Sequence, residues 1–274
     1  MSALTQYEKD QVREIVLWER KEPSVLSKIG GGLLKPFSWM ISKIVPDKVM
    51  EGALLACNAA GALLADKNDI LRDGTVDSVQ ELQFKDLELS DKMANNVHNW
   101  AVGLATVEGG AAGALGVPGM VADVPALITL AYRTMHKIAM CYGFECSNPE
   151  EKMFLNHIMA AANANTIQEK AASIIALQQI NVIIAKTAWR KMSEKAAANK
   201  ISKEAFVLFI RSFAKSLGYN LTRRKAVQAI PVVGGAVGAS MNAVFIHDVA
   251  WAARRSFQKR WLLINGKINE STQG

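Results

Sequence analysis

The chain has 274 residues, half of them hydrophobic, and carries 32 Lys and Arg against 25 Asp and Glu for a net charge of +7. That composition argues against disorder, and the length suffices for one large core or two fused smaller ones. Cys57, Cys141 and Cys146 have no metal or redox spacing, and their odd number fits buried thiols in a reducing compartment.

The opening segment is charged throughout and lacks the apolar region of a secretory signal. Val12, Ile15, Val16 and Glu19 recur at helical intervals, and Pro23 ends the pattern, which predicts a helix over 4–22. Residues 24–46 are broken by Gly30, Gly31 and Gly32. An amphipathic piece containing Phe37 and Trp39 follows, suited to a membrane interface or to a short helix on the core. Residues 1–45 are thus an N-terminal helix and an amphipathic segment.

Pro46 and Asp47 open the next helix, which runs to Leu64. Residues 65–91 collect eight acidic side chains, but without the alternating ligands and turn glycine of a calcium loop. They read as an irregular acidic connector with short helical pieces. Ser90 is placed to cap a helix over 91–110. A glycine-rich element follows, with a helix start at Pro118-Gly119 continuing to Tyr142 and closing at Gly143. Pro125 has to lie in its first turn or at a bend.

Asn148-Pro149-Glu150 starts another helix, and Thr166 with Glu169 forms a capping-box pattern for the next, which extends past Ile184. Helices over 202–217 and 222–230 precede a second glycine-rich element from Pro231 to about Leu263. The tail 265–274 reads as flexible. No segment alternates as a strand does, so the expected fold is all-α, a single compact multi-helical domain over 46–264 with two related glycine-rich halves.

That relation rests on an offset of 119 residues, which superposes Gly116 on Gly235, Gly119 on Gly238, Asp123 on Asn242 and Ala131 on Ala250. Gly109, Gly113, Gly116 and Gly119, with Gly234, Gly235 and Gly238, would let two helix backbones approach closely where they cross. The low-charge stretches Ala101–Ala122 and Ala226–His247 approach membrane-spanning length. Close packing in a soluble core accounts for the same glycines and alanines.

The chemistry-bearing patterns are sparse. A phosphate-binding loop, a dinucleotide fingerprint, a lipase nucleophile elbow, a zinc-protease histidine pair and a di-iron Glu-x-x-His repeat are all absent. Polar residues inside apolar helices remain. Asp123 can accept amide hydrogens at a helix start, pair with an arginine, or face a ligand. Glu108 can approach Asp123, and the two carboxylates with His136 or His247 can hold a divalent metal or share a proton. Asn242 and Asp248 complete the ligand-binding candidates. No cofactor is indicated.

Charge is unevenly distributed: residues 1–185 hold 16 basic and 21 acidic side chains, and residues 186–274 hold 16 basic and 4 acidic. Arg223, Arg224 and Lys225 form one patch. Arg254, Arg255, Lys259 and Arg260 form a second at helical spacing beside Trp251 and Trp261, the pattern of a helix that touches an anionic membrane or a protein partner. Core packing of the aromatics is the alternative. Nothing matches a nucleic-acid-binding motif.

The run Gly113 to Pro118-Gly119, Ala122-Asp123-Val124-Pro125, the helix to Tyr142-Gly143, Glu151-x-x-Phe154-Leu155, Ile230-Pro231-Val232-Val233-Gly234 through Asn242, and Ala250 to Trp261-Leu262 resembles the EcsC protein family. The resemblance spans roughly 53–263. It implies a bacterial or bacterium-like helical protein whose family namesake accompanies an ABC transporter operon, and it supplies no settled activity or catalytic residues. The combined expectation is a cytoplasmic, peripherally membrane-associated interaction protein at the inner membrane. The alternative is an enzyme or a small-ligand or metal binder using Glu108, Asp123, His136 and Asn242 or Asp248.

Overall fold

The computed structural model describes residues 4–23, 47–114, 116–164, 166–193 and 231–268; within its helices, side chains at 47–51, 108–124, 185–193 and 231–241 fall outside the description. The predicted segments at 24–46, 202–217 and 222–230 lie outside the described residues. Those described form one all-α domain. The helices are α1 (Gln6–Arg20), α2 (Asp47–Leu64), α3 (Asn68–Gly74), a 3-10 turn (Val79–Phe84), α4 (Leu87–Ala114), α5 (Gly116–Cys141), α6 (Pro149–Ala162), α7 (Ile167–Ser193) and α8 (Pro231–Ile264).

The starts follow local chemistry. Thr5 accepts the Glu8 amide and Glu8 accepts the Thr5 amide, a reciprocal capping box. Asn148 caps α6 by accepting from the Glu151 amide at 3.0 Å, with Pro149 in the first turn. Thr166 accepts from the Glu169 amide at 3.1 Å and starts α7. Ser90 does not cap a helix, because α4 begins at Leu87 and places Ser90 inside, buried. The acidic connector resolves into α3, the 3-10 turn and the first turn of α4. Pro125 sits well inside α5.

The architecture is a bundle around α8, which packs most extensively on α4 and also on α5 and α6. Every residue from Ala252 to Leu262 is buried. Helices α4 and α8 run antiparallel: Asp91 meets Gln258, Asn95 meets Arg254 and His98 meets His247. Small side chains line the described part of this seam, with Ala94, Ala101, Ala105, Ala250 and Ala253 all fully buried.

Two glycines are required by approach rather than by propensity. A Cβ at Gly61 on α2 would lie 2.6 Å from the Tyr132 Cβ and 2.7 Å from the Arg133 backbone nitrogen on α5. Gly143 ends α5 with φ +85°, a conformation glycine adopts without steric cost. A Cβ there would lie 2.5 Å from the Gln83 backbone nitrogen, and its carbonyl accepts from Gln83 Nε2. Beyond α8 the chain turns at Gly266, where Asn265 Nδ2 donates to the carbonyl of Gln83.

Candidate functional site

Asp91, buried on α4, lies at the centre of a polar network among the described residues. Its carboxylate accepts from Tyr7 Oη at 2.7 Å, from Tyr142 Oη, and from Gln258 Nε2 at 2.7 Å. Gln258 also donates to Gln11, and Arg255 donates to Gln258, Gln11 and Glu14. Burial, followed by the neighbouring carboxylate, raises the Tyr7 and Tyr142 phenols above their ordinary range, so both stay protonated donors. The network joins α1, α4, α8 and the end of α5 through satisfied hydrogen bonds. Its chemistry is that of a structural clamp.

The second basic patch expected from sequence is not an open surface. Arg254, Arg255, Lys259, Arg260 and Trp261 are buried, and Trp251 is half-buried. Arg255 is only 6% exposed and pairs with Glu14, Lys259 pairs with Glu19 at 2.6 Å, and Arg260 pairs with Glu151 at 3.1 Å. Arg254 donates to Asn95, and the Arg260 guanidinium lies 4.2 Å from the centre of the Phe144 ring. The reading fails because α8 is enclosed by α1, α4, α5 and α6, so its cations meet carboxylates from α1 and α6 instead of solvent. The sequence asymmetry of charge is therefore partly internal pairing. Arg223, Arg224 and Lys225 lie outside the described residues.

Of the ligand-binding candidates, His136 is buried and its Nε2 lies 2.9 Å from Asn58 Oδ1 on α2. A carboxamide oxygen only accepts, so this nitrogen carries the hydrogen. Burial lowers the His136 pKa to about 4. Asn242 is buried on α8. Nothing is described of the Glu108 and Asp123 side chains, nor of contacts made at Gly109, Gly113, Gly116, Gly119, Gly234, Gly235 and Gly238. Among the described residues no three His, Cys, Asp or Glu side chains are grouped to hold a metal ion.

Asp248 does reach a concavity. A cleft of about 380 Å³ opens between α1, the end of α6, the start of α7 and α8, lined by Trp18, Lys170, His247, Asp248, Trp251 and Arg255 among others. His247 Nδ1 lies 3.0 Å from Nε2 of the buried His98. Burial, then His247, lowers the His98 pKa to about 4. His98 Nδ1 has no partner, which favours the tautomer that donates from Nε2 and leaves the bare nitrogen inside. Lys170 donates to the carbonyls of Trp18 and Lys21, closing the end of α1, and burial lowers its ammonium to about 8. Two of its three donors are thus already engaged in structure.

A larger feature is an apolar exterior, with the half-buried Arg133 set between its helices. On α2 the exposed side runs Gly52, Ala53, Leu55, Ala56, Ala59, Ala62, Leu63 and Leu64; on α4 it includes Trp100, Gly103, Thr106 and Val107; Pro125 and Ala126 of α5 are also exposed. Leu63 is 87% exposed, Val107 72% and Trp100 50%. Helix α5 packs against both α2 and α4. Arg133 on α5 links them, donating to the Leu64 carbonyl at 3.0 Å with its guanidinium 4.1 Å from the centre of the Trp100 ring. In sequence the signal is the absence of any Asp, Glu, Lys or Arg from 52 to 65 and from 93 to 107. Among the described residues no helix is long and apolar enough to cross a membrane.

The chain is similar to the uncharacterised protein YdbA of Bacillus subtilis, at 23% identity over 279 residues that cover 95% of this chain and 94% of the relative. No solved structure matches it. The EcsC protein family matches residues 9–262, which takes in the clamp at Asp91, the cleft and the apolar exterior, and the chain belongs to that family.

Proposed function

We propose that the protein is a helical interaction module that docks peripherally on the bilayer, at the cytoplasmic face of the inner membrane, through the exterior of α2, α5 and α4. The observation that carries the reading is the apolar exposed surface from Leu63 and Leu64 to Trp100 and Val107. Exposed apolar groups gathered in this way, here around the half-buried Arg133, mark interaction sites. A bilayer suits this one because a half-exposed tryptophan at its edge, topped by an arginine, is the amphipathic pairing found at headgroup depth. Beyond Glu108, residues 109–122 form a second stretch without charged side chains, and residues 231–246 of α8 form another.

Sedimentation with neutral phosphatidylcholine vesicles tests this reading. The expected result is binding that largely survives high salt, since the surface is apolar apart from the half-buried Arg133. The double variant L63D/V107D is expected to bind at least tenfold less with an unchanged melting temperature. Failure of the wild-type chain to sediment with any vesicle, or full binding by the double variant, overturns the proposal.

The same reading gives the two glycine-rich stretches a shared role. Continuing the antiparallel register of α4 and α8 brings 109–114 opposite 231–240, so the related stretches would meet in a close crossing that extends the alanine seam. Gly113→Leu is expected to cost roughly 1–3 kcal/mol or more by overpacking. An unfolding curve identical to that of the wild type removes the crossing.

A further inference from the structure

The feature with the most unassigned content is the seat of α1 on α8. The inward side of α1 carries carboxylates around one fully buried apolar residue, Ile15. Glu8 meets Lys267, Glu14 meets Arg255, and Glu19 meets Lys259. Gln11 accepts from Arg255 and Gln258. Tyr7 reaches Asp91, and Lys170 holds the last carbonyls of the helix. The outward side shows Lys9, Asp10, Arg13 and Arg20 to solvent.

This docking is richer in ion pairs than the described seam between α4 and α8. The contact between α4 and α8 combines buried alanines with the Asp91–Gln258, Asn95–Arg254 and His98–His247 contacts, whereas α1 is held by ion pairs and polar hydrogen bonds together with the buried Ile15 and the partly buried Leu4, Tyr7, Val12 and Trp18. An exposed ion pair contributes little net stability and is screened by salt, as for Glu14, half-exposed in its pair, whereas the Glu19–Lys259 and Glu8–Lys267 pairs are largely buried. Residues 24–46 separate α1 from α2 in sequence, so α1 can leave without breaking a contact between any two other helices. What it uncovers is a row of Arg255, Gln258, Lys259 and Lys267 on and just beyond α8, with Lys170 beside it.

We infer that α1 is a displaceable latch that occupies, in cis, a cationic groove on α8 whose partner in trans is an acidic amphipathic helix of another protein. The occupant is argued from α1 itself, which shows what fits: carboxylates at positions matching Lys267, Arg255 and Lys259, with Val12 and Ile15 between them. As a tethered competitor α1 acts at an effective concentration of about millimolar, so a partner helix must outcompete it or await its release. The groove is separate from the apolar exterior, and its test does not depend on membrane binding.

Two measurements on the full-length chain decide the matter. In the wild-type protein, amides of residues 6–20 are expected to exchange hydrogen well before those of 87–105 and 242–262, and faster on raising salt from about 50 mM to about 0.5 M. Exchange of α1 only together with α8 overturns the latch. In the second, a fluorescent peptide of residues 4–22 is titrated into the wild-type chain and into E14Q/E19Q, which weakens the latch without removing a core side chain. The peptide is expected to bind the variant at least tenfold tighter than the wild type, and the same peptide carrying both Gln substitutions is expected to bind neither. Equal binding to both chains overturns the groove. A variant that ignores the peptide but sediments with phosphatidylglycerol-containing vesicles overturns the helix as occupant.

Discussion

Replacing Asp91 with alanine is expected to destabilise the protein by about 3–5 kcal/mol, the range for removing one partner from a buried charged network. The carboxylate accepts from Tyr7, Tyr142 and Gln258. With alanine there, the Tyr142 hydroxyl is left inside with no acceptor, and each such orphaned donor costs about 1–3 kcal/mol. Asp91→Asn should cost about half as much, because its amide oxygen still accepts and a tyrosine hydroxyl can turn to accept from its NH₂. Urea unfolding measures both. A loss below about 1 kcal/mol for Asp91→Ala shows that the network is not the clamp described here.

Acid is expected to unfold the chain well before its carboxylates are fully protonated. Burial lowers His98, His136 and His157 from 6.5 to about 4. Their folded-state pKa values lie below the unfolded ones, so the unfolded chain takes up protons first as the pH falls. The stability they protect is present above about pH 6.5 and is lost progressively toward pH 4. Each depressed histidine corresponds to on the order of 3 kcal/mol at full effect, and His157, being only partly enclosed, contributes less. The expected result is a steep fall in urea midpoint between pH 7 and pH 5, flattened in His136→Gln, whose amide can still donate to Asn58. A midpoint constant over that range removes the prediction.

Several helix boundaries were readable because their determinants are local. Asn148-Pro149, Thr166 with Glu169, Asp47 and Gly143 each act within a turn, and the structure places ends at all of them. The start of α4 was missed because Leu87 is set by packing, and Ser90 carries the cap pattern while lying inside the core. Gly61 had no sequence signal at all. Its need for a bare Cα comes from Tyr132 and Arg133 on another helix.

The candidate site was less readable. Asp248 and Trp251 share a cleft, but the cleft also needs Trp18 from α1 and Lys170 from α7, far away in sequence. The basic row at 254–260 looked like a surface because its spacing is amphipathic. Spacing reports which residues share a face, and says nothing of what covers that face. Here α1 and α6 bring Glu14, Glu19 and Glu151 to meet it.

By itself, then, the sequence determined what depends on near neighbours and composition: the helical class, most helix ends, and the membership carried by the glycine-rich runs and the α6 and α8 motifs. Only the tertiary structure decided which charges are inside and which apolar groups are outside. Burial is a property of the assembled bundle, since a cation can enter it when a carboxylate from a distant helix arrives at hydrogen-bonding distance. An apolar helix side stays exposed, as on α2, when no described helix packs over it.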